Sequence, residues 1–318
     1  VDELTPGDQP PVLSIVIVNW NTKGLLRDCL ESIVLNPPQC ACKVVVVDNG
    51  STDGSGEMVQ RDFSDVLLIS NERNLGFAEA NNQGIRAQKS RYVHLLNSDT
   101  IVLPGALDGL VRSLESSPAV GIVGNRLRNP DGTLQPSVFR FPTVTSALLL
   151  GFGIRRVKLG DRVRHTQTNV GEEEFDYGVR QEVDYMRGAS LIIRRSVLDE
   201  IGLLDERFFM YGEEADLCYR AWQAGWKVVY DPEAEIIHLG GGSSRKAVPE
   251  TVARRTVAVW QFIRKHHGPL AGFAFRALAI ARSLFSVCVQ YVKSLLRGDS
   301  DWRGSWYKLR ALLRGGIS

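Results

Sequence analysis

Leu13-Ser-Ile-Val-Ile-Val18 is a nearly continuous apolar run rich in β-branched residues. Behind it Leu25, Leu26, Cys29, Leu30 and Ile33 recur at helical spacing after Thr22, a suitable N-cap. The pattern predicts strand, turn and helix, and it repeats. Lys43 to Val47 predicts a buried strand ahead of a helix near Ser55 to Phe63, Val66 to Ile69 precedes a helix near Phe77 to Ala87, and Tyr92 to Leu96 precedes one after Pro104. Strands alternating with helices imply right-handed crossovers, hence an α/β fold with a mostly parallel sheet and helices on both faces. Ligands of such sheets bind at the carboxyl ends of the strands.

All four of those ends are polar: Asn19-Trp20-Asn21, Asp48-Asn-Gly-Ser-Thr-Asp53, Asn71 to Gly76, and Asn97-Ser98-Asp99. Any one of them reads as an ordinary turn and helix cap. Four on one rim point to a site. No Gly-x-Gly-x-x-Gly follows the first strand and no Gly-x-x-x-x-Gly-Lys occurs, so the usual phosphate cradles of dinucleotide enzymes and P-loop proteins are missing.

These residues resemble an inverting, family-two glycosyltransferase of the GT-A (Rossmann-like) fold. Ile17 to Asn21, Val47 to Asp53, Asn74-Leu-Gly-Phe-Ala-Glu-Ala-Asn-Asn82, Leu96 to Asp99, Arg187-Gly-Ala189, Met210-Tyr-Gly-Glu-Glu-Ala-Asp-Leu-Cys-Tyr-Arg220 and His238 to Ser244 match in order. Together they span about Leu13 to Ser244, and within the family the pattern is most similar to bacterial rhamnosyltransferase-like enzymes of cell-envelope polysaccharide synthesis. The resemblance implies that Asp48 accepts the imide N–H of a uracil or thymine ring, and that Asn19 and the loop around Asn74 and Gly76 hold base and ribose. Asn97-Ser98-Asp99 stands where the family carries its Asp-x-Asp metal motif, leaving Asp99 as the one carboxylate, with His238 as the distant ligand. One carboxylate, an imidazole and a diphosphate suit Mg²⁺ or Mn²⁺. Read without the resemblance, His238 is a polar residue ending a strand at Ala234 to Ile237. Arg187, Gly188 and Ala189 are implied to lie under the donor sugar; a simple β-bulge is the other reading. Glu213, Glu214 and Asp216 open a helix, where acids are favoured by the dipole and Asp216 with Arg220 is an i,i+4 pair. In the family the second acid of a Glu-Asp pair is the catalytic base, which maps onto Glu214 in a Glu-Glu pair here, with Asp216 as substitute. Ser137 to Glu182, with Arg155, Arg156, Arg162, Arg164 and Glu172 to Glu174, reads as a long irregular insertion, a lid or acceptor loop.

Composition adds a division. With 318 residues, 44% hydrophobic and 23% charged, the chain is ordinary globular protein with room for two domains, and its formal charge is +2. Up to Glu250, however, there are 26 Lys+Arg against 34 Asp+Glu, and beyond it 12 against 2, so a body of −8 carries a tail of +10. Expected segments are therefore an N-terminal tail over 1–11, a catalytic domain over 12–249 (a nucleotide-binding half, 12–125, and an acceptor half, 126–249), and a basic helical region over 250–318. Pro269 to Arg297 predicts one helix with Arg276, Arg282, Ser283, Ser286, Gln290, Lys293, Ser294 and Arg297 in a ~120° sector and apolar residues elsewhere. Trp302 to Arg314 predicts a second, with Trp302, Trp306, Leu309 and Leu313 opposite Arg303, Arg310 and Arg314. Basic helices with interfacial tryptophans suit an anionic membrane surface; packing on the catalytic domain or a homodimer partner is the alternative. Nucleic acid is disfavoured by the tail's hydrophobic content. No apolar run reaches the ~18 to 20 residues of a bilayer span, and Val1 to Pro11 shows no secretory signal. Five irregularly spaced cysteines predict free thiols, so the expected location is cytoplasmic, peripheral on the inner face of the plasma membrane.

The expected reaction is metal-dependent transfer of a sugar, L-rhamnose first, from a dTDP- or UDP-linked donor to a cell-envelope glycan or polyprenyl-diphosphate-linked acceptor. A galactofuranosyl- or other hexosyltransferase is the alternative within the family. A nucleotidyltransferase, which would release pyrophosphate, and a non-catalytic membrane-bound nucleotide-sugar-binding protein are the rivals outside it.

Overall fold

A computed structural model describes residues 10–151, 156–159, 162–165, 175–240, 248–297 and 303–314. The first half runs β1 (Leu13–Asn19), α1 (Lys23–Leu35), β2 (Cys42–Asp48), α2 (Ser55–Asp62), β3 (Leu67–Ser70), α3 (Phe77–Ala87) and β4 (Tyr92–Asn97), close to the expected elements. It continues through β5 (Thr100–Val102), α4 (Ala106–Glu115), β6 (Val120–Arg128), β7 (Leu134–Gln135) and β8 (Val138–Phe139) to α5 (Val144–Gly151). A hairpin of β9 (Arg156–Leu159) and β10 (Arg162–His165) follows, then β11 (Gln181–Glu182), β12 (Tyr185–Met186), β13 (Ser190–Arg194) and α6 (Arg195–Ile201). The chain ends in α7 (Glu213–Gln223), β14 (Lys227–His238), α8 (Val248–His266), α9 (Pro269–Arg297) and α10 (Arg303–Arg314).

The main sheet has the order β11-β14-β6-β13-β4-β1-β2-β3. β1 pairs in parallel with β2 and β4, β14 in parallel with β6, and β13 runs antiparallel between β4 and β6. Alternate residues of β1 enter different cores, Leu13, Ile15 and Ile17 with α1 and α4 on one face, Val16 with α3 and α7 on the other. The sheet is therefore covered on both sides, as the unbroken apolar strands require. The stretch expected to be irregular, Ser137 to Glu182, contains β8, α5, the hairpin and β11. These elements are too short and too mixed in pattern to announce themselves. Arg155 and Glu172 to Glu174 lie outside the described residues, as do Gly241 to Ser244 and Trp302.

α8 gave no expectation of its own, and residue 250 falls in its first turn. It joins two cores: Ala258 and Phe262 enter the cluster of α3 and α7, while Ala253, Val257, Trp260 and Ile263 pack with Phe275, Ala279, Ala311 and Leu312 of α9 and α10. Against expectation, one segment is long and apolar enough to cross a bilayer: Pro269–Val292 in α9, with a mean hydropathy of 1.5. All five cysteines are free thiols.

α3 lies so close to β1 that a methyl group at Gly84 would sit 2.4 Å from Val16 Cγ1 and 3.3 Å from Val47 Cγ2. Gly84→Ala should therefore overpack the interface and cost about 1 to 3 kcal/mol in urea unfolding, despite the better helix propensity of alanine.

Candidate active site

The strand ends are joined by a chain of hydrogen bonds. Ser98 Oγ lies 3.1 Å from Thr22 Oγ1, which donates to Asn19 Oδ1 at 2.7 Å. Asn19, fully buried, donates through Nδ2 to Asp48 Oδ1 at 3.1 Å and to Ser51 Oγ at 3.2 Å. The Ser51 hydroxyl also donates to Asp48 Oδ1. Asp48 Oδ2 makes no hydrogen bond among the described residues and faces Gly56 in the first turn of α2, where a Cβ would come within 3.5 Å. Asn19, Asp48 and Ser98 thus converge as expected.

Asn74 has a different task. Its Oδ1 accepts from Asn49 Nδ2 (3.0 Å) and from the Gly76 amide (2.9 Å), so the side chain shapes its own loop. The hub is Asn49, buried and unmarked by the sequence reading. It also donates to the Gly76 carbonyl at 3.1 Å and accepts from Asn71 Nδ2 (3.1 Å) and the Leu75 amide (3.0 Å). Gly76 has φ 94°, and a Cβ there would sit 2.7 Å from the Phe209 carbonyl, which accepts from the Phe77 amide at 2.6 Å. Only glycine fits. This contact brings the loop before α7 onto the nucleotide half.

Across the sheet, β5 pairs with β14 so that Thr100 lies opposite His238, and His238 Nε2 comes 3.3 Å from Asp99 Oδ1. His238 Nδ1 is 2.6 Å from Gln135 Oε1, while Gln135 Nε2 donates to the His238 carbonyl (3.1 Å) and Asn129 Oδ1 (2.8 Å). Gln135 therefore presents its oxygen to the ring, which places a proton on Nδ1 and leaves Nε2 facing the carboxylate. A ring nitrogen and a carboxylate oxygen so placed can both ligate a divalent cation. The donor set fits Mg²⁺ or Mn²⁺. No group of three or more His, Cys, Asp or Glu suited to a metal occurs among the described residues, so a diphosphate and water would complete the shell. Asn97 Oδ1 is buried without a hydrogen-bond partner next to this pair.

Arg187, Gly188 and Ala189 link β12 to β13. The Ala189 carbonyl accepts from the Asn97 amide at 2.9 Å, joining this turn to the Asn97–Asp99 loop. A Cβ on Gly188 would meet Glu214 Cβ at 3.6 Å, so Gly188 lies beneath the Glu214 side chain. Arg187 stacks on Phe139 with Cζ 5.5 Å from the ring centre, and its buried Nε has no partner. Burial and the neighbouring Arg255 of α8 push its guanidinium down, and Glu214 opposes them.

Three carboxyls in the first turn of α7 have three environments. Tyr211 (φ 71°) and Gly212 (φ 89°) turn the chain into the helix, and Arg255 stacks over Tyr211 at 4.9 Å. Glu213 is buried with Oε2 unpartnered; burial, then the charge of Glu214, raises its pKa well above the usual carboxylate range. Glu214, partly exposed, accepts from the Gly212 amide through Oε2 at 3.0 Å. Burial raises it too, while the Gly212 amide and Arg187 favour its charged form. Asp216 is fully buried and saturated: Oδ1 meets Lys265 Nζ at 2.5 Å and His266 Nε2 at 2.8 Å, and Oδ2 accepts from Arg220 Nε at 2.8 Å. The substitute base of the sequence reading is thereby an anchor for α8. Lys265 and His266 fall in the last turn of α8, where cations complement the helix dipole, but no local signal couples them to Asp216 across fifty residues.

A doubly covered sheet whose strand ends gather Asp48, Asp99 and Glu214 has the layout of a GT-A glycosyltransferase. The chain belongs to glycosyl transferase family 2, whose model matches residues 14–202. It is 30% identical, over 80% of its length and 85% of the relative's, to an N-acetylglucosaminyl-diphospho-decaprenol L-rhamnosyltransferase of Mycobacterium tuberculosis. It is 28% identical to Agl10, a low-salt glycan biosynthesis hexosyltransferase of Haloferax volcanii, over 71% of this chain and 66% of that one. The mannosyltransferase PcManGT from Pyrobaculum calidifontis, solved in complex with GDP-Man and Mn²⁺, shares the fold at a TM-score of 0.56 and 17% identity, over 97% of this chain and 86% of that one.

Burial alone would raise the Asp216 carboxyl, but His266, Arg220 and Lys265 outweigh it and hold the pKa below the ordinary 3.8. A depressed folded-state pKa contributes stability that is complete above the unfolded value and lost as pH falls through the folded one. Asp216→Asn should cost about 3 kcal/mol in urea unfolding at neutral pH, and the gap to the wild type should close as the medium is acidified through that window.

Proposed function

We infer that the chain transfers a sugar, L-rhamnose, with inversion, from a dTDP- or UDP-linked donor to a cell-envelope glycan or polyprenyl-diphosphate-linked acceptor. The name of the mycobacterial relative supports the sugar and the lipid diphosphate. The archaeal relative favours a second reading in which another hexose is moved. The observation that carries the reaction is the Asn97 to Ala189 hydrogen bond of 2.9 Å, because it sets the Asp99 loop beside the turn that supports Glu214. On this reading the base and the leaving group are held next to one another, as a single displacement needs.

Asp48 Oδ2 accepts the imide N–H of the base, with Asn19 and Ser51 fixing the carboxylate and Asn49, Asn74 and Gly76 shaping the ribose loop. Arg187 faces the donor's diphosphate or sugar. Glu214 takes the proton of the acceptor hydroxyl as its oxygen attacks the anomeric carbon and the bond to the diphosphate breaks. Burial raises the pKa of Glu214, which makes it the stronger base. Asp99 and His238 would hold a divalent cation, Mg²⁺ or Mn²⁺, and when bound it would supply Lewis acid assistance to the nucleoside diphosphate. The enzyme acts at the inner face of the plasma membrane as a peripheral protein.

Glu214→Gln should lower transfer about a thousandfold while leaving the donor-induced rise in Tm intact; a fully active variant removes Glu214 from the role. In a thermal-shift panel of nucleotide sugars with and without Mn²⁺, His238→Ala should abolish the Mn²⁺-dependent part of the stabilisation and leave the nucleotide part. An unchanged Mn²⁺ response would remove His238 from the metal.

A further inference from the structure

α9 is amphipathic in the reverse sense to a helix on a water-soluble surface. Its inner side holds polar groups: Arg276 donates to the carbonyls of Leu312 and Leu313 at 2.9 and 3.1 Å and stacks on Trp260 at 4.8 Å. Ser283 is buried and bonds to the Ala279 carbonyl, and Ser286 meets Ser305 of α10 at 2.8 Å. The outer side carries Leu270 (84% exposed), Phe273 (72%), Leu284, Phe285 (71%), Tyr291 and Val292. At ~100° per residue these six fall within one ~120° arc, and the exposed residues between them, Ala274, Ala277, Ala281 and Cys288, carry no charge. From Leu270 to Val292 the stripe runs roughly 33 Å at 1.5 Å per residue, far more apolar length than a soluble monomer leaves open to water.

α10 extends the surface with a mixed face. Trp306, Tyr307 and Leu313 are exposed there beside Arg310 and Arg314. Aromatic rings and arginines side by side suit the boundary between acyl chains and headgroups. The charge agrees: beyond Glu250 there are 12 Lys+Arg and 2 Asp+Glu, opposite in sign to an anionic lipid surface.

We propose that the outer stripe of α9, with the aromatic edge of α10, is the face by which the protein lies on an anionic bilayer, with α9 in the plane of the interface. This deepens, and rests on, the reading of the chain as a peripheral enzyme of a lipid-linked acceptor. A span is incompatible with the packing, because Phe275, Ala279 and Ser283 are buried against α8 and α10 and Arg276 is tied to α10. Lipid on every side would require that three-helix core to open. α8 links the surface to the site, since the helix that packs on α9 also presents Lys265 and His266 to Asp216.

The test uses the full chain and the double variant Phe273→Asp/Phe285→Asp. Both are floated with phosphatidylcholine vesicles with and without phosphatidylglycerol, and compared by sedimentation velocity and by hydrolysis of a nucleotide-sugar donor in solution. Wild type should float with the anionic vesicles, and the variant should partition roughly tenfold less while hydrolysing donor equally. Wild type left in the soluble fraction overturns the proposal, as does equal flotation of both proteins. So does a wild-type dimer that the variant abolishes without vesicles, which would make the stripe a contact between two copies. Flotation as expected with no donor hydrolysis leaves the membrane face standing and counts against the transferase reading alone.

Discussion

The carboxylate of Asp216 fixes the catalytic end of the molecule. Fully buried, it collects Arg220 from its own helix and Lys265 and His266 from α8, and Lys265 reaches on to Asp205 at 2.7 Å. A buried charge without these partners would be far too costly, so the helices are held in the one arrangement that satisfies it. That arrangement sets the first turn of α7, and with it Glu214 over Gly188. The same loop is pinned from the opposite side where Phe209 meets Gly76. Glu214 is thus positioned by α8 and by the loop before α3 at once.

The three acids of that turn divide the labour through environment alone. Burial pushes the pKa of Glu213 up; Glu214 has an amide and an arginine that favour its charged form; Asp216 is held by Arg220, Lys265 and His266 and has no freedom. Their spacing in sequence says nothing of this, since all three are favoured equally by a helix N-terminus. Gln135 orients His238 in turn, accepting from one ring nitrogen while the other faces Asp99.

The sheet was legible because buried parallel strands are written as unbroken apolar runs and their ends as polar clusters. Asp48, Asp99 and Glu214 were singled out by the family resemblance of the motifs around them. The loop around Asn74 was expected to hold base and ribose; the Asn74 oxygen closes that turn, and Asn49 one loop earlier holds it together. Neither is separable by composition, because an asparagine that makes a turn and one that binds a ribose look alike. α8 carries apolar residues at Ala253, Val257 and Trp260 in helical period, so its existence could have been read. Its attachment to Asp216 could not, being a contact between distant segments. The wide apolar face of α9 was visible in the sequence; that its polar residues turn inward depends on where α8 and α10 pack.

The central claim is a single displacement at the anomeric carbon, with Glu214 and the Asp99–His238 pair working from adjacent places on the sheet edge. It is tested most directly by proton NMR of the product formed with a nucleoside-diphosphate sugar of known anomeric configuration. The account predicts a product of inverted configuration. Retained configuration would contradict it.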